Sequence, residues 1–243
     1  MIFLSPHQTA YILHHFASEC GEPQAHQNVW LRRSYAPMLI HTATLTSVRD
    51  IVMQMYPQHV ICFDVIFESA GGLVDWHCDY ESLGPFSVPI RRRAVGESHF
   101  LSVHFNLTAN GGSLTTLDWV WLSLLHYWCI STFGIFSTPH RVLNAISRPI
   151  YRCFARVFPN VAGWGNVFDN TRLHSVSPGE RRISYVLRLA KKDCVTLSRT
   201  SVLDGMQRSK ACAVFERLLD RVSDDPLDVA SLDWANLKKP AVD

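Results

Sequence analysis

Residues 165–189, GNVFDNTRLHSVSPGERRISYVLRL, carry the pattern that decides the fold. Residues 164–169 and 182–190 are predicted strands, with a short strand at 173–176 between them. Successive strand side chains point to opposite faces. Ile183, Tyr185, Leu187 and Leu189 therefore form one face, suited to packing under covering helices, and Arg182 and Ser184 share the other. A guanidinium inside a barrel requires an anion, because an unpaired buried charge is costly. Arginine grips a carboxylate through two parallel bonds, and a serine hydroxyl adds a further bond to the same oxygens. An internal ion pair with an aspartate or glutamate is the competing explanation for Arg182. Arg181 has the opposite orientation and is expected to face solvent.

The strand pattern also occurs upstream. Ile61, Phe63, Val65 and Phe67 alternate with Val60, Cys62, Asp64 and Ile66, a strand buried on most of both faces. Gly71 and Gly72 turn the chain into a strand predicted from Val74 to Asp79. Leu101, Val103, Phe105 and Leu107 then alternate with Ser102, His104 and Asn106, before a tight turn at Gly111 and Gly112. Further strands are predicted at 115–121 and 150–157. Residues 84–99, with Gly84 and Arg91, Arg92 and Arg93, are predicted to loop near the mouth of the site.

Within WHCD (76–79), His77 and Asp79 point the same way and Cys78 points away. An imidazole and a carboxylate on one face are two thirds of a facial triad, and His174 is the candidate third metal ligand. Two histidines and one carboxylate leave open positions on octahedral Fe(II), which oxygen activation needs. Zinc accepts the same donors, but a structural zinc site would fill every position with protein. Among twelve histidines an HxD step alone would be a weak signal. What strengthens it is the order: the pair at 77 and 79, then His174, then Arg182 and Ser184. Asp75 shares the face of His77 and is a candidate outer partner for it.

Ser5-Pro6 is a predicted helix start, with Ala10, Leu13, Phe16, Ala17 and Cys20 at helical spacing and Gly21 and Pro23 as stops. A second helix is predicted from about Thr46 to Met55, with Val48, Ile51, Val52 and Met55 on one face. A third, with Ala211, Val214, Phe215, Leu218 and Val222, packs outside the sheet or forms a dimer surface. Trp76, Trp119, Trp121 and Trp128 are expected in the core or on sheet faces, and His14, His15 and His126 as hydrogen-bonded structural histidines. With 243 residues, 47% apolar, the economical arrangement is one domain, 1–243, with a β-rich barrel at about 60–190 and helical extensions at both ends. A net charge of +2 implies no strong field. Seven widely spaced cysteines without a CxxC pair argue against a disulfide scaffold or a structural zinc knot. The start lacks the pattern of a signal peptide, and the apolar run 119–130 is too short to span a bilayer. A cytoplasmic location and no membrane partner are the expectations.

WHCD, NLTANGGSL (106–114) and residues 165–189 together resemble the Fe(II)- and 2-oxoglutarate-dependent dioxygenases. The likeness spans about residues 60–190. It implies a double-stranded β-helix, or jelly roll, and an oxidoreductase. His77, Asp79 and His174 would ligate Fe(II). Arg182 and Ser184 would bind 2-oxoglutarate, and Asn106 or His104 would touch its near carboxylate or the substrate. With O2, the co-substrate would be split to succinate and CO2 as an unactivated C–H bond is oxidised. An intact Asp79 favours hydroxylation, desaturation or ring formation over halogenation, and the hard chemistry would be that of the iron and oxo acid.

The expected substrate is a polar small molecule, such as an amino acid or biosynthetic intermediate. Two alternatives remain. Arg182 and Arg188, in RISYVLR, resemble the strand of the demethylases of alkylated nucleic-acid bases, but no aromatic-rich basic stretch for a flipped base accompanies them beyond Arg91–Arg93 and Tyr35. A protein side chain is the other. The chain is expected to be a monomer or homodimer.

Overall fold

The computed structural model describes residues 2–19, 24–26, 29–34, 39–71, 74–78, 100–109, 112–133, 137–158, 160–177 and 179–192, with the isolated positions 199 and 203. Asp79, Tyr80, Glu81, the 84–99 loop with Arg91–Arg93, and the predicted C-terminal helix lie outside the described residues, as do the side chains of Asp75 and Phe63.

Eleven strands and four α-helices are described: β1 (Ile2–Phe3), α1 (Pro6–Glu19), β2 (Gln24–His26), β3 (Val29–Ser34), α2 (Thr46–Met55), β4 (His59–Gly71), β5 (Val74–His77), β6 (Phe100–Asn106), β7 (Leu114–Leu117), α3 (Val120–Phe133), α4 (Thr138–Phe154), β8 (Ala155–Val157), β9 (Trp164–Asp169), β10 (His174–Val176) and β11 (Gly179–Lys191). They form a seven-stranded sheet, β1-β9-β6-β11-β4-β3-β2, and a four-stranded sheet, β5-β10-β7-β8. The pairing is nested: β4 with β11, β5 with β10, β6 with β9 and β7 with β8, all antiparallel. The chain passes back and forth between the sheets as it does so. That arrangement is a jelly roll; its nested strands run from His59 to Lys191, and the N-terminal segment, expected to be helical, adds β1, β2 and β3 to the large sheet.

The outer face of the large sheet carries the main core. Ile183, Tyr185, Leu187 and Leu189 pack with Leu101, Val103 and Phe105 against Ile12 and Phe16 of α1 and Val48 and Val52 of α2. Each such side chain taken out of water stabilises the fold by about 1.5–3 kcal/mol. The Tyr185 hydroxyl donates to Asp64 Oδ2 at 2.6 Å, and the Ile40 amide donates to the same oxygen at 3.0 Å. Burial, and then the Asp64 charge, hold the Tyr185 hydroxyl well above its ordinary range, so it stays a donor.

Helix α1 begins at a capping box. Gln8 N–H donates to Ser5 Oγ at 3.2 Å and Ser5 N–H to Gln8 Oε1 at 2.9 Å. Its buried stripe is Gln8, Ile12 and Phe16, whereas Ala10 and Ala17 face water and Leu13 is half-buried, so the predicted apolar face is rotated. On α2, Val48 and Val52 are buried as expected, but Ile51 and Met55 are exposed.

The larger correction falls between β7 and β8. The strands predicted at 115–121 and 150–157 shrink to Leu114–Leu117 and Ala155–Val157, and helices α3 and α4 fill the space between. Ser137 caps α4, accepting from the His140 amide, and a proline occupies its first turn. Trp76 is packed as expected, stacked on Tyr151 at 4.4 Å between centroids. Trp119, Trp121 and Trp128 are not: they are exposed on the hairpin.

Candidate active site

The two sheets face each other across a polar interior. On the small sheet, His77 of β5 lies directly opposite His174 of β10. Their rings are 4.3 Å apart between centroids. The nested pairing brings together residues nearly a hundred positions apart, as a ligand role for His174 would need. His174 Nδ1 lies 3.0 Å from the Arg172 carbonyl oxygen. A carbonyl only accepts, so Nδ1 carries the proton and Nε2 is the basic nitrogen, the tautomer a metal ligand needs. Phe168 packs beside the His174 ring, 5.1 Å away. Among the described residues no cluster of three or more His, Cys, Asp or Glu side chains is found; the expected third donor, Asp79, lies outside them.

Cys78 faces away from this interior, as alternation demands. It is buried with Leu117, Leu122, Ile130 and Leu173 beneath the α3–α4 hairpin. The hairpin also holds the strand by its backbone: Asn144 Nδ2 donates to the Trp76 carbonyl at 2.9 Å. Tyr151 Oη donates to Asn144 Oδ1 at 2.8 Å and lies 2.9 Å from His126 Nε2, so His126 is the hydrogen-bonded structural histidine expected. Burial, and secondly the neighbouring His140, pull His126 down to about 3.

The large sheet supplies the cationic wall. Arg182, 7% exposed, donates from Nη1 to the Gly112 carbonyl at 3.3 Å. A side chain at Gly112 would collide with the Ser177 carbonyl, so only glycine lets the start of β7 pass so close. Burial pulls the Arg182 guanidinium down to about 10, which leaves it charged at neutral pH. Among the described residues its Nε has no hydrogen-bond partner, and neither have Ser184 Oγ and Asn106 Oδ1, all buried. No carboxylate pairs with Arg182 among the described residues, so the competing internal ion pair is not seen there. Ser184 and Asn106 are opposite one another on β11 and β6. Buried polar atoms are normally satisfied, and three orphans on one inner wall fit a polar ligand. Arg181 points outward and pairs with Glu68, as expected.

Two features were not foreseen. Asn166, opposite His104, brings another orphan, Nδ2, to the same wall. The alternation of Asn166 with Val167 in GNVFDN carried that signal. Arg188 Nη1 donates to Ser102 Oγ and, at 2.8 Å, to Asn170 Oδ1, a contact joining β11, β6 and the turn after β9 that single-strand periodicity does not reveal. Asp169 is a turn residue, its Oδ1 accepting from the Thr171 amide at 2.8 Å.

No protein-family model matches the chain, and no curated protein matches it in sequence. Solved structures do. The chain is similar to an oxidoreductase of the 2OG-Fe(II) oxygenase family from Burkholderia pseudomallei, at 15% identity over 77% of this chain and 79% of that one, with a TM-score of 0.46. It is similar to the non-heme alpha ketoglutarate dependent epimerase SnoN from nogalamycin biosynthesis, at 13% identity over 78% and 76%, with a TM-score of 0.49. A Pseudomonas putida prolyl-4-hydroxylase is similar at 13% identity over 78% and 89%, with a TM-score of 0.41. Likenesses at these values assign neither a residue role nor an activity; those rest on the site.

Proposed function

We propose that the chain is an Fe(II)- and 2-oxoglutarate-dependent dioxygenase that hydroxylates an unactivated C–H bond of a polar small molecule. The observation that carries this reading is the pairing of His77 with His174 across from a wall where Arg182, Ser184 and Asn106 leave buried polar atoms unsatisfied. The two described donors, His77 and His174, fit the group. His77, Asp79 and His174 would hold the iron, Arg182 and Ser184 the far carboxylate of 2-oxoglutarate, and Asn106 its near end. When bound, iron and oxo acid supply the oxidising power for C–H cleavage, with release of succinate and CO2.

The chain's own part is aim and exclusion. The Arg172 carbonyl fixes the His174 ring, and Gly112 fixes one arm of Arg182, so the charge that meets a dicarboxylate is in place beforehand. Val186 and Phe168 line the inner faces between the polar groups and keep water from the reacting bond. Asn166 and His104 are placed to hold substrate polar groups. Arg188 is engaged with Ser102 and Asn170, which accounts for its burial without a nucleic-acid strand.

An air-free titration tests this reading. Fe(II) together with 2-oxoglutarate should give a weak visible charge-transfer band, and a panel of polar small molecules should then be screened by succinate release. A folded protein that binds neither metal nor oxo acid would overturn it.

A further inference from the structure

We propose that the α3–α4 hairpin docks the protein on a membrane surface bearing anionic headgroups. The hairpin is the tip of the nested sheet pairing, and its inward faces are fully used. On α4, His140, Asn144, Ser147 and Tyr151 are buried toward the barrel. Val142 and Ile146 on the same helix are left exposed, at 52% and 70%. On α3 the outward positions are Trp121, Leu125 and Trp128, 77%, 45% and 58% exposed. A helix on a globular surface normally turns its polar residues outward. Both helices here leave large apolar side chains outward, and exposed apolar surface of this kind marks an interaction site.

Charge selects the occupant. Between Asp118 and Asp169 the sequence contains no aspartate or glutamate, while Arg141, Arg148, Arg152 and Arg156 all fall in that span. On α4, Arg141 and Arg148 are exposed as well. A second copy of this face would set Arg141 and Arg148 against the same arginines, with no carboxylate on either helix to pair with them. A nucleic-acid strand would match the arginines but offers nothing to the aliphatic stripe. An anionic bilayer matches both, since apolar and tryptophan side chains enter the headgroup boundary while arginines meet phosphates. Combining two weak signals is what makes interfacial binding stable. No described helix is long and apolar enough to cross a membrane, so the contact is with the surface.

The test is vesicle sedimentation with the full chain, without added iron or oxo acid, so that its failure leaves the proposed reaction untouched. Vesicles of phosphatidylcholine alone are compared with vesicles containing roughly one-third phosphatidylglycerol. The anionic vesicles should bind the protein, with a blue shift of tryptophan fluorescence, and added salt should weaken binding. Trp121→Asp and Ile146→Asp should each weaken it about tenfold or more, and Arg141→Glu with Arg148→Glu by a similar factor. Because both apolar residues are exposed, their variants should melt within a few degrees of the parent.

Four results would overturn the proposal. The first is no vesicle binding, and the second is binding indifferent to Trp121→Asp. The third is a concentration-dependent dimer, or single-stranded RNA binding, abolished by Trp121→Asp in a chain that ignores vesicles. The fourth is a large drop in melting temperature for both apolar variants, which would show the face to be covered by the chain itself.

Discussion

The two faces of β11 differ as sharply as any two regions of the molecule. Its outer face, Ile183, Tyr185, Leu187 and Leu189, is packed under α1 and α2, and its polar hydroxyl has found Asp64. Its inner face, Arg182 and Ser184, is equally buried but leaves hydrogen-bonding atoms unsatisfied. Burial alone therefore does not separate the two faces of β11; what differs is whether the strand's own polar atoms are satisfied. One face holds the strand in place, and the other stores unmet polar demand that a ligand would fill. Substitutions on the two faces should fail in different ways.

The largest effect is expected opposite β11, at the ligand pair. His174→Ala should cut iron affinity by more than the ~10–100-fold typical of losing an outer-shell partner, and abolish coupled succinate release. Metal titration followed by turnover reads both. Retention of iron by a folded His174→Ala protein would remove residue 174 from the site.

Arg182→Ala should keep much of the iron affinity while weakening 2-oxoglutarate by about 10²–10³-fold, the usual cost of truncating one side of a buried charge pair. Arg182→Lys should recover only part, because it keeps the charge and loses the fork. Isothermal titration with and without metal separates the roles. Equal loss of iron in the Arg182 and His174 variants would collapse the distinction between metal ligand and anion clamp.

On the outer face, Tyr185→Phe removes the 2.6 Å bond to Asp64 and should destabilise the fold by about 1–3 kcal/mol in denaturant unfolding. Affinity for 2-oxoglutarate should be unchanged. A Tyr185→Phe protein of full stability but altered oxo-acid affinity would show that the two faces are not independent.

The barrel was legible because its evidence is local and periodic. Alternation over 100–107 and 182–190 fixes which residues face in, and the structure keeps that assignment at Ser102, His104, Asn106, Arg182 and Ser184. The meeting of His77 with His174 followed from chemistry, since two neighbouring ligands cannot hold an open metal site. Helix α3 was illegible for a physical reason. Helices are recognised by contrast between faces, and Trp121, Leu125 and Trp128 give α3 an apolar outer face as well as an apolar inner one. Without contrast, Trp-rich and Val-containing segments look like strand. The Arg188–Asn170–Ser102 contact was hidden because it joins β11 to residues around β6 and β9, a relation that only sheet order creates.

The hairpin also sets the most indirect effect expected, one that reaches the ligand strand from behind. His126 is held near Tyr151 and Ser147, and burial, followed by repulsion from His140, lowers it to about 3. In the unfolded chain it would titrate at about 6.5. The unfolded state thus binds the extra proton first as pH falls. The His126 contribution to stability is whole above about pH 6.5 and is lost progressively toward about 3. Unfolding by denaturant at a series of pH values should show this slope, and His126→Gln should flatten it. Because Tyr151 also bonds Asn144, which holds the Trp76 carbonyl beside His77, acid should loosen β5 in the parent and less so in His126→Gln. Amide exchange at Trp76 and Cys78 measures that loosening directly. Identical pH profiles in the two proteins would confine the His126 network to the hairpin and leave the ligand strand mechanically separate from it.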